Sequence, residues 1–356
     1  MVSLSEVQAS NAQIATSLPP GLVAVFVGAT SGIGESTLKE FARNARQPRV
    51  YFVGRSQDAG NRIKAECRQL NPEGEFIFIK ADCSLIKAVD EVCREIKNKE
   101  NAINLLFLSC GTAMFHTGTH CDSLQLVFDA NEDPKETSEE MHIPVAIGYY
   151  ARTRFALNLL PLLREATSLR RVVSVLAGGK EGAIDPEDFQ IRKLSLLAAR
   201  AHLVSMTDLA LEVLAQRAPE VSFIHDYPGA VKTGLGKDTS NIYVSIMGVF
   251  LFLFGWLFCI PIKEAGERHL FLATSAKYPA RVADKSIKVV PVAGDVQIAV
   301  GTDGESGSGV YSVNWDGEGT KAKVVGILAK LRRQGMDTQV WEHTVGEFKR
   351  ITGVGE

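Results

Sequence analysis

Residues 22–34 read Leu-Val-Ala-Val-Phe-Val-Gly-Ala-Thr-Ser-Gly-Ile-Gly. The run opens with six apolar residues, which is typical of a strand buried on both faces of a sheet. The segment 35–46 that follows has its apolar residues at the spacing of a helix face. Glycines between the two allow a tight turn and let the helix point its free N–H groups at a pyrophosphate. The stretch predicts a nucleotide-binding strand–loop–helix with Gly28, Ser31, Gly32, Ile33 and Gly34 at the ligand; the alternative is a glycine-rich turn without one.

The same pattern continues along the chain. Apolar strands are predicted at 50–54, 76–82, 103–111, 171–179 and 221–229, and the longest helical segments at 138–163 and 193–217. Strands that alternate with helices in this way predict an α/β fold, a doubly wound parallel sheet (Rossmann fold) with helices on both faces. We expect an N-terminal extension at 1–20 and a single nucleotide-binding domain at 21–356.

The composition excludes several classes of protein. The chain has 356 residues, of which 46% are apolar and 22% charged, with a net charge of −2. These values exclude a disordered chain and a global polycation that would hold nucleic acid. The six cysteines form no CxxC pair and the N-terminus has no secretory pattern, so we expect reduced thiols and a cytoplasmic location. The histidines lack metal-ligand spacing, and no metal is predicted.

The end of the second strand distinguishes NAD from NADP. An acidic residue there would bond the ribose 2′-hydroxyl, but this strand ends in Gly54-Arg55-Ser56. A guanidinium offers a fork that suits a 2′-phosphate. Arg55 and Ser56 therefore favour NADP as the cofactor, the alternative being an ordinary exposed arginine.

These motifs together resemble the short-chain dehydrogenase/reductase superfamily. Residues 28–34 are similar to its TGxxxGIG loop, 108–111 occupy the place of its NNAG motif, and 227–233 resemble its PGxVxT segment. The C-terminal pattern, with Gly309-Val310-Tyr311 and then Trp341-Glu342, looks like that of retinol dehydrogenases and their fungal relatives. The resemblance implies an NADP-binding oxidoreductase and a homodimer. It adds five cofactor contacts, at Asp82, Ser109, Gly111, Val231 and Thr233.

The catalytic pattern of that family is not matched. Its chemistry uses a Tyr-x-x-x-Lys pair on the helix after the fifth strand, and here Ala198 and His202 occupy those positions. The candidate catalytic residues are therefore His202, Ser174 and Tyr150; His202 would act as an acid or hold a ribose hydroxyl. Each has a simpler interpretation. His202 is then a packed helix histidine, Ser174 a residue that only fills its strand, and Tyr150 part of a solvated helix face. Arg152 and Arg154, beside Tyr150, are candidates for polarising a carbonyl or contacting phosphate.

A long uncharged segment follows the PGxVxT-like motif. Between Asp238 and Lys263 lie 24 consecutive uncharged residues, and 242–262 alone is long enough to span a bilayer. A span there would separate the final strand of the sheet, near 309–315, from the rest of its domain. The position instead favours an apolar substrate lid at 234–280, which packs over substrate or contacts a membrane surface through 242–262, followed by a C-terminal extension at 281–356.

Three functions remain open from the sequence. The first is an NADP-dependent reductase of a bulky apolar small molecule, in fungal secondary-metabolite biosynthesis as the resemblance suggests. The second is a non-redox cyclase or isomerase on the same scaffold. The third is a catalytically inactive nucleotide-binding regulatory protein. No nucleic-acid partner is expected.

Overall fold

The computed structural model describes residues 1–111, 136–231, 259–282, 284, 286–292 and 296–356. Thr233 and most of the predicted lid, including 242–258 of the apolar segment, lie outside the described residues. All that follows concerns the described parts of the chain.

A parallel sheet forms the centre of the molecule. Within the described residues it has seven strands: β1 (Val23–Val27), β2 (Arg49–Gly54), β3 (Glu75–Lys80), β4 (Leu105–Leu108), β5 (Arg171–Val175), β6 (Ser222–Asp226) and β7 (Val310–Val313). Their spatial order is β3-β2-β1-β4-β5-β6-β7, and every neighbouring pair is parallel. The order reverses direction at β1, so the chain winds outward on both sides, which confirms the predicted doubly wound Rossmann fold.

Helices connect these strands. They are α1 (Leu4–Ala12), α2 (Ile14–Ser17), α3 (Gly32–Asn44), α4 (Gln57–Leu70), α5 (Ile86–Lys97), α6 (Ile143–Val145), α7 (Ala151–Glu165), α8 (Leu196–Arg217), α9 (Ile262–Thr274), α10 (Ala322–Arg333) and α11 (Met336–Thr352). A π-helical turn at Ala146–Tyr150 joins α6 to α7, so the helical region predicted at 138–163 is one interrupted unit. Among the described residues, no helix combines the length and apolarity needed to cross a bilayer.

Each face of the sheet has its own apolar core. Side chains of α5, α7, α8, α10 and α11 cover one face, and those of α1 to α4 and α9 cover the other. The residues of a strand alternate between the cores: in β1, Val25 belongs to the first and Phe26 to the second. Such alternation with both faces covered explains why the strands read as continuous apolar runs.

Both ends of the chain are built into these cores. The predicted extension at 1–20 forms α1 and α2, and Val7 and Ile14 are buried in the core that contains α9. At the other end, Val340 and Phe348 of α11 are buried in the opposite core. Neither terminal segment is therefore a loose appendage.

Candidate active site

The glycine loop between β1 and α3 has a backbone that only glycine fits. Gly28 has a φ of +81°, and a Cβ added there would lie 2.4 Å from the backbone nitrogen of Cys110. A Cβ at Gly34 would lie 2.3 Å from Ser109 Oγ. Ser31 is the N-cap of α3, and its side chain makes no capping hydrogen bond. The first N–H groups of α3 are therefore available to an anion, as the sequence predicts.

The end of β2 lies beside this loop. A Cβ at Gly54 would collide with the Thr30 side chain at 2.3 Å, so the strand end and the loop are in close contact. Arg55 follows and is exposed. Ser56, the N-cap of α4, accepts a hydrogen bond from the Ala59 backbone N–H at 3.2 Å. The structure thus brings Arg55 to the rim of the glycine loop.

Two further predicted contacts flank the loop. Asp82, after β3, is exposed and accepts hydrogen bonds from Ser84 N–H at 3.0 Å and Ser84 Oγ at 2.8 Å. Ser109, after β4, donates to the carbonyl oxygens of Val27 at 3.2 Å and Gly28 at 3.3 Å. Ser109 therefore joins the end of β4 to the glycine loop.

The chain just after β6 pairs with a residue near the end of the apolar segment. Val231 forms a parallel β-bridge with Ile260, and Ile260 N–H donates to the Ala230 carbonyl at 2.7 Å. A Cβ on Gly229 would lie 2.8 Å from the Ile260 side chain and 3.1 Å from Trp315. The chain before the predicted lid and the last described residues of the apolar segment therefore meet at the carboxyl edge of the sheet.

Arg152 is buried where β4 and β5 end. Its Nη1 donates to Ser174 Oγ at 2.9 Å, to the Leu108 carbonyl at 3.1 Å and to the Val175 carbonyl at 2.8 Å, and its Nη2 donates to the Cys110 carbonyl. Burial lowers the pKa of Arg152. Within the described residues it forms no ion pair with a carboxylate. Arg152 and Ser174, both candidates from the sequence, are thus brought together, and Arg152 Nη2 lies near Gly111.

Tyr150 is placed differently. Its hydroxyl lies 2.6 Å from His343 Nε2 on α11, and burial raises the pKa of the phenol well above its ordinary value. His343 in turn stacks on Phe189, with ring centroids 4.6 Å apart. The structure thus ties Tyr150 to the C-terminal helix rather than to Arg152 and Ser174.

His202 anchors the loop between β5 and α8. Its Nδ1 accepts a hydrogen bond from Asp185 N–H at 3.1 Å, and burial lowers the pKa of the ring to about 4. One turn further along α8, Ser205 Oγ bonds to Gly182 N–H at 3.0 Å and to the Gly182 carbonyl at 2.8 Å. The helix face on which the resemblance places tyrosine and lysine therefore binds this loop.

A cluster that the sequence did not predict continues this face of α8. We call it the acid cluster: Glu181 on the loop, Asp208 on α8 and His225 on β6, with ligating atoms all within 4.8 Å of one another. His225 Nδ1 lies 2.8 Å from Asp208 Oδ1, and neither side chain is exposed. Asp208 carried one available signal, as the one charged residue among 201–211.

Burial dominates the electrostatics of the acid cluster. It raises the pKa of Glu181 to about 7, with the neighbouring Asp208 as the second cause. It raises the pKa of Asp208 well above the usual range and lowers that of His225 to about 4. Burial therefore opposes the charged form of each member of the acid cluster.

The residues at the glycine loop fit a nicotinamide dinucleotide. The spaces that a Cβ would fill at Gly28 and Gly34 allow the backbone to approach a pyrophosphate, and the N-terminus of α3 faces the same loop. Asp82 and Arg55 lie exposed beside it, where an adenosine moiety would extend. This arrangement is that of a dinucleotide-binding site.

Comparison with known proteins supports this class. Residues 22–132 match the family "short chain dehydrogenase". The chain is 41% identical over 346 residues to oxidoreductase AN1596 of Emericella nidulans, covering 97% of each protein. It is 33% identical to oxidoreductase andH of Emericella variicolor, over 100% of this chain and 99% of that protein. The chain belongs to the short-chain dehydrogenase/reductase family and is an oxidoreductase.

More distant matches agree on the architecture. Retinol dehydrogenase 11 of Mus musculus is 27% identical over 76% of this chain and 77% of its own. The structure of L-sorbose reductase from Gluconobacter frateurii, complexed with NADPH and L-sorbose, superposes with a TM-score of 0.52 at 15% identity, covering 79% of this chain and 98% of that one. These matches confirm the predicted resemblance and the Rossmann fold.

Proposed function

We propose that the protein is an NADP-dependent reductase of a bulky apolar small molecule. The observation that carries the proposal is the exposed Arg55 at the rim of the glycine loop, where NAD-specific sites have an acidic residue. A guanidinium there pairs with a 2′-phosphate, which only NADP has. NADPH complexes of structural neighbours, such as L-sorbose reductase, support this choice.

The residues divide the work of binding as follows. Gly28, Gly34 and the N-terminus of α3 hold the pyrophosphate, Arg55 the 2′-phosphate, and Asp82 the adenine. Ser109 fixes the loop against β4. When bound, NADPH supplies a hydride to the substrate. The chain's own task is to orient the substrate, exclude water and provide any proton that the product needs.

The bridge between Val231 and Ile260 supports an apolar substrate. It fixes the chain before the uncharged segment, and the end of that segment, at the carboxyl edge of the sheet, where parallel sheets bind their ligands. Trp315, 39% exposed beside Gly229, adds an apolar surface at the same edge. We also propose a role in fungal secondary metabolism, the setting that the family resemblance suggests.

The test combines nucleotide binding with turnover. Fluorescence titration with NADPH and NADH should show tighter binding of NADPH. NADPH oxidation is then followed with a panel of apolar carbonyls and imines, including decalone, tetralone and a cyclic imine. Equal or tighter binding of NADH would contradict the cofactor assignment. NADPH binding without oxidation of any compound would favour the non-redox alternative.

A further inference from the structure

A row of buried polar side chains crosses the carboxyl ends of three neighbouring strands. Ser174 on β5, His225 on β6 and Ser312 on β7 are register partners, and each is at most 2% exposed. Arg152 binds Ser174 at one end of the row, and Glu181 contacts Ser312 at the other. Because buried polar groups cost free energy unless they are paired, the pairing of each atom in this row is informative.

The donors account for only half of the carboxyl oxygens in the acid cluster. Glu181 Oε1 accepts from Gly179 N–H at 2.8 Å and from the Ser312 hydroxyl. His225 Nε2 faces the Ala177 N–H at 3.4 Å, which leaves Nδ1–H to donate to Asp208 Oδ1 at 2.8 Å. The other oxygens, Glu181 Oε2 and Asp208 Oδ2, have no donor among the described residues.

The two carboxyl groups lie close together, since the ligating atoms of the acid cluster are all within 4.8 Å of one another. Two ionised carboxylates cannot hydrogen-bond to each other, because both are acceptors only. A single proton between the two orphaned oxygens satisfies both of them. It also halves the negative charge that would otherwise be buried.

We propose that Glu181 and Asp208 share one proton, and that this proton is delivered to the substrate oxygen in the reaction. The inference rests on the reductase function proposed above. Glu181 lies on the loop that leaves β5, two residues after Gly179, at the edge where ligands bind. A Cβ at Gly179 would meet no atom within 4 Å, so this turn is uncovered by the described residues.

The step balances as a reduction of a carbonyl. As the hydride reaches the carbonyl carbon, the π electrons of the C=O bond move to oxygen. The O–H bond of the shared carboxyl breaks, and a new O–H bond forms on that substrate oxygen. Both carboxyl groups are then ionised: Gly179 N–H and Ser312 O–H hold Glu181, and His225 Nδ1–H holds Asp208, until water returns a proton to the pair.

The neighbouring charged groups suit such an acid. A pKa of Glu181 near 7 matches proton donation at neutral pH. Three titratable or charged groups surround the pair: His225 on β6, Glu212 on α8 and Arg152 on α7. The charge of Glu212 raises the pKa of Asp208, and that of Arg152 lowers the pKa of His225. His225 is a positioning residue, since it holds Asp208 and does not itself give up the proton.

Infrared spectroscopy of the whole protein tests the shared proton without any substrate. At neutral pH the wild type should show the C=O band of a buried protonated carboxyl, and both Glu181→Gln and Asp208→Asn should lose it. Each amide can donate to the remaining carboxylate, so the packing is kept. Glu342→Gln, which changes an exposed carboxyl on α11, should leave the band unchanged. Absence of the band from the wild type, or one tightly bound metal ion per chain by elemental analysis, would overturn the proposal.

Kinetics tests the delivery of the proton. With a carbonyl from the panel that the wild type reduces, Glu181→Gln should lower kcat by about 10²-fold or more. The KM and the affinity for NADPH should stay within about twofold, and Glu181→Asp should restore part of kcat. The wild-type kcat should fall as the pH rises through about 7, and Glu181→Gln should abolish this limb.

The outcomes separate this proposal from the proposed function. Failure to bind NADPH contradicts the proposed function and the proton delivery that rests on it, whereas the infrared band, which is read without cofactor, still decides whether the proton is shared. Turnover of carbonyls by Glu181→Gln at the wild-type rate and with the wild-type pH profile overturns the proton delivery, although the reductase function stands. Binding of NADPH without its oxidation by any compound of the panel contradicts the reductase function and the proton delivery together.

Discussion

The imidazole Nδ1 of His202 accepts a hydrogen bond from the backbone N–H of Asp185 at 3.1 Å. His202 stands at the sequence position of the lysine in Tyr-x-x-x-Lys, yet its ring is buried and holds the loop that follows β5. Because burial lowers the pKa of this ring to about 4, protonation of His202 opposes folding.

His202→Asn should therefore reduce the loss of folding stability at low pH. The unfolded chain binds a proton to His202 near pH 6.5 and the folded chain only near pH 4, so stability is lost as the pH falls through this window. The variant keeps an acceptor but does not titrate. Between pH 7 and pH 4 its free energy of unfolding should fall by about 3 kcal/mol less than that of the wild type. Urea unfolding across this range measures the effect. Ser205→Ala, which loosens the same loop without changing a titration, should lower stability by a similar amount at every pH.

Glu181 should act on stability with the opposite sign. Its pKa is raised from 4.5 to about 7, so the folded state binds the proton more tightly than the unfolded state. This stability is present below pH 4.5 and is lost as the pH rises toward 7. Relative to Glu181→Gln, the wild type should therefore lose free energy of unfolding between pH 5 and pH 8, and Glu342→Gln, which changes an exposed carboxyl on α11, should follow the wild type. Parallel curves for the wild type and Glu181→Gln would contradict the raised pKa.

Arg152→Met should be strongly destabilising. The change leaves the carbonyl oxygens of Leu108, Cys110 and Val175 without their buried donor, at a cost of about 3–5 kcal/mol. Ser174→Ala removes one partner of Arg152 and should cost about 1 kcal/mol. Thermal and urea unfolding measure both. A loss below 1 kcal/mol for Arg152→Met would mean that these bonds do not hold the strand ends together.

Gly28→Ala should abolish NADPH binding. The position has a φ of +81° and a new Cβ would meet the Cys110 backbone at 2.4 Å, so the loop must move. Gly326→Ala is the matched control, because its Cβ in α10 meets nothing within 4 Å, and it should stabilise the protein by about 0.5–1 kcal/mol. Fluorescence titration and unfolding distinguish the two effects. Normal NADPH affinity in Gly28→Ala would rule out this loop as the pyrophosphate site.

Arg55→Ala should reduce the preference for NADPH over NADH. Loss of a charge-assisted pair with the 2′-phosphate should weaken NADPH binding about tenfold to a hundredfold and leave NADH binding unchanged. Arg68→Ala, at the far end of α4 and equally exposed, should change neither affinity. Equal weakening of both nucleotides in Arg55→Ala would mean that the guanidinium does not read the 2′-phosphate.

The sequence was informative where chemistry depends on neighbours in the chain. The glycine loop and Arg55 could be read because a strand, a turn and a helix N-terminus are consecutive. The acid cluster could not, because Glu181, Asp208 and His225 come from a loop, a helix and a strand that only packing brings together. Tyr150 was misleading as a catalytic candidate for a different reason. Its partner His343 lies on a helix 193 residues later in the chain.

The position of α11 also bears on how the chain folds as it is synthesised. Tyr149 bonds to Thr344 and Arg154 to the Gly355 carbonyl, so these contacts form only after residues 195 and 201 positions later have been made. The edge strand β7 likewise comes from Val310–Val313, well after β6 in the chain. A nascent chain would therefore expose apolar surface on α7 and α8 until these residues leave the ribosome, and contacts of such long range slow folding. Chaperone dependence and intolerance of C-terminal truncation are the expected costs of this topology.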